Sequence, residues 1–387
     1  MSEREELRAR VRAWLDEHAP AKGGPDDFSA IHVVSAMTAE EFEAREHHAL
    51  EVTRSWQRRL HDAGWAGRSW PVEYGGRGEP GWQDEVVAEE QARYGVSTKM
   101  LAIALEMAPP VLLQHGTHEQ RLRHLPRIVR GEEAWCQLLS EPDAGSDLTN
   151  VQTFAAPVDG GGWTVSGQKV WTSGATSADF ALLLARTDRS TPGRGGISCF
   201  ALDMRQPGVV VRPLRQMSGG YHFNEVFLDA AQLAEGSLIG ELGEGFTVLR
   251  TMLTSKRAAI GGGTSARSAL QLRAMAGETG RSADPHVRQL LAESYTRERL
   301  LDLVMARIAA VPAGGSVTKL LYSEHARLSG DAALEILGPV ATVAEDPVSQ
   351  PWLDRFLFAP GLRLGGGTDE IQRNTIAERG LGLPRTP

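Results

Sequence analysis

The feature that most constrains this chain is a double change in the spacing of its apolar residues. Between residues 3 and about 134 they recur three or four apart, as in EREELRARVRAWLDEH and TAEEFEAREHHALEVTRSWQRRLHDAG, the second closed by Gly64. That spacing gathers them on one face of a helix. From about 135 to 240 the period drops to two. WTVSGQKVWTSG, FALLLART, GISCFALDM, GVVVRPL and HFNEVFLDA are short alternating or β-branched runs, parted by Gly, Asp and Pro. From Gly245 the helical spacing returns and runs on, broken at AVPAGG and LGPVATVAEDPVSQP. Strands so closely spaced, with no helix between them, predict a small antiparallel sandwich or barrel. The whole order predicts an α+β multidomain chain: an N-terminal helical bundle over 1–134, a middle antiparallel β unit over 135–240 and a C-terminal helical bundle over 241–387. A length of 387 residues suits two or three cooperating domains better than one core.

Charge and composition remove several function classes. The net charge is −8 and no long basic run occurs, which argues against nucleic acid as a partner. The two cysteines, Cys136 and Cys199, form neither a disulfide framework nor a metal-ligand spacing, so no metal is expected. MSEREELRARVRAWLDEH is charged and amphipathic, without a secretory apolar core. The longest apolar run, LAIALEMAPPVLL, is interrupted by Glu106 and the Pro109–Pro110 pair and is too short to span a bilayer. A cytoplasmic enzyme or binding protein is the expectation. Only five of the 41 basic residues are lysine, the bias of a GC-rich bacterial genome.

Two segments carry candidate chemistry. In LLSEPDAGSDL, residues 138–148, Pro142 to Gly145 is good turn sequence, and Ser146 and Asp147 suit the cap of a short helical turn. Alone, it reads as a plain turn. The functional alternative is that Gly145 lets the backbone approach an anion, with the N–H groups of Gly145 and Ser146 and the Ser146 hydroxyl holding a pyrophosphate. In SGQKVWTSGATSADFALLLART a tight turn enters a strand carrying Trp171, followed by Thr172, Ser173 and Gly174. A strand tryptophan is by default core. Small hydroxyl residues and glycine directly after it also suit a flat ring system lying beside the indole.

Together, at this separation, the two segments resemble the acyl-CoA dehydrogenase family, in its bacterial FAD-dependent branch. There Ser-Glu-Pro-x-Ala-Gly-Ser-Asp and Gly-x-Lys-x-Trp-x-[Ser/Thr]-[Asn/Gly] line FAD on the middle β-domain. LRQMSGGYHFNEVFLDA resembles a later strand pair of that domain, and GGTDEIQRNTIAERGLGLPR is similar to the family's C-terminal flavin loop and final helix. The resemblance spans most of the chain, weakening across about 21–49, and four ordered motifs are far more specific than one glycine pattern. It implies that Gln137, Leu139 and Ser140 face the isoalloxazine, with Trp171 and Ser173 against it. Gly145 and Ser146 would lie near the cofactor phosphates and the start of the acyl-CoA site. The adenosine half would be held by a neighbouring chain through Glu335, Gly338, Thr368 and Glu370, which implies a homodimer or homotetramer. Two elements depart from the family pattern: RSADP replaces Arg-x-x-Phe-Gly near residue 281, and ILGPVAT replaces Gly-Gly-x-Gly.

The chemistry implied is α,β-dehydrogenation of an acyl-CoA or acyl-carrier-protein thioester, with electrons passed to an electron-transferring flavoprotein. A carboxylate removes the α-proton while a hydride leaves the β-carbon for flavin N5. The α-proton is weakly acidic, so the thioester oxygen needs hydrogen-bond donors as the enolate develops. In the family these are a ribityl hydroxyl and a backbone N–H on the C-terminal loop, which falls here on Gly366. The family places its glutamate either just before the loop Gly-Thr, here Gly366, or just before an arginine on the helix after the β-domain, here Lys256 before Arg257. Neither position is acidic. Phe246, Leu249, Leu253 and Ile260 form one helical stripe that includes Lys256. An inward lysine is costly unless it is paired, solvated in a cleft or deprotonated; the other reading has it snorkel to solvent at the helix edge. With the resemblance, Lys256 faces a ligand cleft, and Arg257 is structural or beside the thioester. Three readings follow. The chain is a dehydrogenase whose base is Lys256 or a carboxylate from elsewhere. Alternatively it is the non-catalytic subunit of a heterotetramer with a homologue, as in actinobacterial relatives acting on steroid side-chain thioesters. The third is a recruited member with a specialised substrate.

Overall fold

The structure, a computed structural model, describes residues 2–29, 37–261, 268–343 and 348–385, with the side chains at 254–261 and 309 outside that description. It divides into two compact units. The first holds the described chain up to residue 252 apart from 217–220; the second holds 217–220 and the described residues from 253 on.

The first unit begins with helices α1 (Glu3–His18), α2 (Ala39–Asp62), α3 (Trp82–Gln91), α4 (Ala108–His115) and α5 (His118–Val129). Three of them start on reciprocal capping boxes: Ser2 with Glu5, Thr38 with Glu41, and Thr117 with Gln120. Each box satisfies two backbone N–H groups that the first helical turn leaves without partners. The apolar stripe of α1, Leu7, Val11 and Leu15, closes on Trp56 and Leu60 of α2 and on Val86 and Val87 of α3. The predicted helical spacing therefore marks a real buried face.

Eight strands follow: β1 (Trp135–Leu138), β2 (Phe154–Pro157), β3 (Trp163–Thr172), β4 (Phe180–Arg186), β5 (Ile197–Asp203), β6 (Val209–Leu214), β7 (Phe223–Leu233) and β8 (Leu238–Ile239). They form one sheet in the order β6-β7-β3-β2-β4-β5-β8, with β1 pairing on β4. The sheet is antiparallel at most pairings. The exceptions are β1 on β4 and a single bridge between β2 and β4, both parallel. Parallel pairing needs a long connection, and the chain from Leu138 to Phe180 supplies one, with β2 and β3 inside it. Ala181 to Ala185 of β4 are all buried, so the run FALLLAR is apolar without alternation because both its faces are covered. Cys136, Leu138, Val165, Leu183, Phe200, Val226 and Leu228 meet in the core beneath.

Helix α6 (Gly245–Gly261) leads on to α7 (Ala269–Glu278), α8 (Pro285–Met305), α9 (Gly314–Leu337), α10 (Gln350–Leu364) and α11 (Asp369–Thr375). In the second unit α9 is central, sharing a core of Leu272, Met275, Val287, Ala333, Ile336 and Trp352. Gly330 lets α10 come close: a Cβ there would stand 3.0 Å from the Phe356 backbone. Ser268, at the start of α7, donates to Ser329 of α9 at 2.8 Å and lies 3.1 Å from His325 Nε2, tying these helices by polar contacts inside the bundle. Among the described residues no helix is long and apolar enough to cross a membrane, and no His/Cys/Asp/Glu group could hold a metal.

Both cysteines are fully buried, and burial pushes the Cys136 thiol up and that of Cys199 up to about 12. A thiol reacts as its thiolate. Iodoacetamide at pH 8 is therefore expected to label neither cysteine of the folded chain and both in urea. Native labelling, read by mass spectrometry, would contradict this placement of β1 and β5.

Candidate functional site

Beyond Leu138 the chain leaves the sheet through Leu139 and Ser140 and turns at Glu141–Ala144, closed by Glu141 N to Ala144 O at 3.0 Å and the reverse bond at 3.1 Å. The Glu141 side chain points inward. Its Oε1 accepts from Lys169 Nζ at 2.8 Å and from the Thr153 N–H at 3.0 Å, and its Oε2 accepts from the Gln152 N–H at 2.6 Å. Lys169, on β3, is 0% exposed, and its ammonium also donates to the Leu139 carbonyl at 3.1 Å. Beside it the Val170 N–H donates to the Ser140 carbonyl at 2.9 Å. The two motif segments thus lie against each other, as their sequence patterns imply.

The charges are matched. Desolvation alone would raise the Glu141 carboxyl, but the Lys169 charge and the hydrogen bonds outweigh it and hold the group below the usual carboxylate range. Burial pushes Lys169 down to about 8 against the opposing pull of Glu141, so near neutral pH both groups remain charged. A buried ion pair is tolerable when its geometry is good and the leftover lone pairs are satisfied. Two backbone N–H groups do that here.

Trp171 is two residues after Lys169, and simple alternation would bury both on one face. The structure overturns the default of a core tryptophan. The β3–β7 ladder shifts register between Lys169 and Thr172, and Trp171 takes φ 61°. Trp171 is 61% exposed, with Phe223 edge-on to its ring at 6.0 Å. A left-handed backbone at a bulky residue costs on the order of 1–3 kcal/mol and persists where its surroundings dictate it. Here Asn224 Nδ2 holds the Thr172 carbonyl at 3.0 Å directly after the bulge. Ser173 is exposed, Gly174 takes φ 67°, and Thr176 donates to Glu46 of α2 at 2.8 Å, anchoring the loop. The result is an outward-facing aromatic ring flanked by small groups.

Gly145 and Ser146 are exposed, and a Cβ at Gly145 would meet nothing within 4 Å. The expected shared cap is made by Asp147 alone, which accepts from the Thr149 N–H at 3.1 Å; the Ser146 hydroxyl has no partner among the described residues. Gln137 and Leu139 are half-buried, Gln137 reaching the Met107 sulfur.

In the second unit α10 ends at Leu364 with Gly365 as its cap, and Gly366 and Gly367 take φ 71° and 94°. Gln372 Nε2 donates to both their carbonyls, at 2.9 and 3.2 Å. Thr368 caps α11 by accepting from the Ile371 N–H, and Glu370 is exposed on its first turn. Asp369, 3% exposed, pins the loop from within. Its carboxylate accepts from Lys319 Nζ at 2.8 Å, Ser323 Oγ at 3.0 Å and Arg363 Nε at 2.6 Å, while Lys319 also donates to the Arg363 carbonyl at 3.0 Å. Burial works to raise Asp369, yet these partners leave its carboxyl below the usual range.

Glu335 and Gly338 lie at the far end of α9. Glu335 is sixteen residues beyond Lys319, about 24 Å at the α-helical rise, so one chain does not gather them with Thr368 and Glu370. Glu335 is paired with His286, and Gly338 caps the helix with φ 60°. Arg281 of RSADP donates to the Glu335 and Ile336 carbonyls and pairs with Asp284 at 2.7 Å, so it serves the C-terminus of α9. Lys256 and Arg257 lie on α6, with side chains outside the described residues.

Sequence reasoning gave no role to Glu141, Lys169, Lys319 or Asp369. The available signal was a lysine at a buried phase of an otherwise apolar segment, in QKVW and again in VTKLL.

Comparison with known proteins gives a consistent picture. The families described as acyl-CoA dehydrogenase N-terminal, middle and C-terminal domains match residues 27–132, 136–230 and 243–381. The acyl-CoA dehydrogenase IpdE1 of Mycolicibacterium smegmatis is 36% identical, covering 100% of this chain and 99% of its own. Among solved structures, the Tcur3481–Tcur3483 steroid ACAD superposes with a TM-score of 0.80 at 28% identity, over 99% of this chain and 98% of its own. The ChsE4–ChsE5 complex from Mycobacterium tuberculosis gives 0.77 at 26% identity, over 100% and 99%.

Replacing Asp369 by Ala would strand the Lys319 ammonium, which is 4% exposed. Breaking such a buried pair from one side costs about 3–5 kcal/mol. Urea unfolding of the purified variant should show a loss of that size in its C-terminal bundle; a loss below about 1 kcal/mol would mean that the pair contributes little.

Proposed function

Because this chain belongs to the acyl-CoA dehydrogenase family, and is thereby an acyl-CoA dehydrogenase-like oxidoreductase, we propose that it binds FAD and takes part in α,β-dehydrogenation of an acyl-CoA thioester. The observation that carries the cofactor is the strained, outward Trp171 indole set beside the loop held by Lys169 and Glu141. An exposed aromatic face flanked by small residues suits a stacked isoalloxazine. The open backbone at Gly145 and Ser146 suits the pyrophosphate. FAD, when bound, supplies the acceptor for the hydride from the β-carbon.

The chain's own groups divide the remaining work. Gln137, Leu139, Ser140, Trp171 and Ser173 orient the ring system. Ser146 adjoins the entry to the thioester site, and Arg257 lies beside it. The Gly366 N–H donates to the thioester oxygen as negative charge develops there, work that needs no side chain. Because one chain does not gather all four, Glu335 and Gly338 of one chain and Thr368 and Glu370 of another serve each adenosine in a dimer or tetramer. The proposed domains are 1–134, 135–240 and 241–387, and the proposed electron acceptor is an electron-transferring flavoprotein in the cytoplasm.

Proton abstraction separates two versions of this reading. In the first, Lys256 accepts the α-proton as a neutral amine. The second is favoured by glycine at 366 and lysine at 256, and by the likeness to the Tcur3481–Tcur3483 steroid ACAD and to the two-chain ChsE4–ChsE5 complex. In it a homologous partner supplies the carboxylate, this chain completes the cofactor site, and the acyl group is bulky and polycyclic.

The test is anaerobic addition of acyl-CoA thioesters to the flavin-loaded chain, followed at the flavin absorbance. Bleaching by the chain alone supports the first version, and bleaching only with a co-purified homologue supports the second. A chain that retains no flavin, alone or with that homologue, would sink both. Lys256→Glu discriminates further: a lysine base should lose about 100-fold or more in reduction rate, whereas an inert lysine should allow a gain.

A further inference from the structure

The Lys169 ammonium does more than neutralise Glu141: it also holds the Leu139 carbonyl, at 3.1 Å, on the buried side of the loop. A trans peptide is planar, with its C=O and N–H pointing in opposite directions. Fixing the Leu139 oxygen inward therefore fixes the Ser140 N–H outward, away from Lys169. Among the described residues nothing accepts from that N–H, whereas the Ser140 carbonyl is taken by Val170 at 2.9 Å. The bulge in β3 that follows Lys169 turns the Trp171 ring outward as well. A fixed, unpaired donor and an exposed aromatic ring thus flank one buried cation.

We propose that Lys169 and Glu141 are positioning residues for cofactor recognition, which orient the 139–140 peptide so that the Ser140 N–H donates to a carbonyl of the flavin ring. The inference rests on the FAD-binding reading above and adds to it the part of the protein that aims the donor. Glu141 acts one step further back. Its bonds to Lys169, Gln152 and Thr153 keep the ammonium charged and in place. Without Lys169 the Leu139 carbonyl loses its partner and the peptide is free to rotate, which takes the donor off target while leaving the strands paired.

The test compares the full-length chain with two variants, each stripped of flavin and reloaded with FAD. Lys169→Met alone leaves the Glu141 carboxylate buried without its cation and is expected to melt at lower temperature. The double variant Lys169→Met with Glu141→Gln removes both charges together, a change that buried pairs often tolerate. It is expected to melt within a few degrees of the parent yet to bind FAD at least tenfold more weakly, with a shifted visible flavin spectrum. Hydrogen exchange at the Ser140 amide of the unaltered chain gives a second reading that needs no variant: fast without FAD and at least tenfold slower with it. Equal FAD affinity and an unchanged spectrum in a folded double variant would reduce the pair to a fastener and overturn the inference. A Ser140 amide that exchanges as fast with FAD bound as without it would do the same. Failure of the parent chain to bind FAD, alone or with a co-purified homologue, would instead strike the proposed function itself.

Discussion

Between Glu141 and Lys169 a full negative and a full positive charge sit in contact inside the first unit, and the geometry of the candidate site descends from that pair. Neither charge would survive there alone, because an isolated ion in a low-dielectric interior gives up its charge or its burial. Each is kept by the other and by backbone groups: two N–H donors on the carboxylate and one carbonyl on the ammonium. Those backbone partners belong to the loops that the fold must hold still. The ion pair thereby converts burial into position, locking the segment after β1 onto β3 at the edge where Trp171 turns outward.

The second unit solves the same problem with the same residue types. Lys319 and Asp369 meet inside the helical bundle and hold a glycine-rich loop that has few means of holding itself. Glycine permits the positive φ at 366 and 367 but loses more conformational entropy than other residues when ordered. An internal anchor one residue past Thr368, together with the Gln372 amide on the two glycine carbonyls, offsets that cost. With only five lysines in the chain, placing two of them in buried pairs beside the motif loops reflects where a compact cation on a long stem is useful.

The proposed proton chemistry turns on two sequence positions that carry no acid. A glycine at 366 leaves a backbone donor and no acid, and a lysine at 256 leaves a group of the wrong charge unless it is neutral. The backbone share proposed for Gly366, polarising the thioester oxygen, needs neither side chain. In the proposed reading this separates binding and polarisation from proton removal, which leaves the base to Lys256 or to a second chain.

Much of this was legible in the residues. The change of apolar period placed the strands between two sets of helices, and the capping boxes at Ser2, Thr38 and Thr117 stand where the helical runs begin. The motif order singled out the loops proposed to carry chemistry. Tertiary structure decided the rest. Alternation buries Trp171, and only the bulge against β7 exposes it, because register is a property of two strands together. RSADP names no partner for Arg281, and the fold gives it the carbonyls ending α9. The partnership of Glu141 with Lys169, across 28 residues, could not be read from either motif. Local sequence fixes periodicity and backbone preference, which act over a few residues. Which charge meets which is settled only when distant segments are brought within about 3 Å, where desolvation makes a matched pair tolerable and an unmatched one costly.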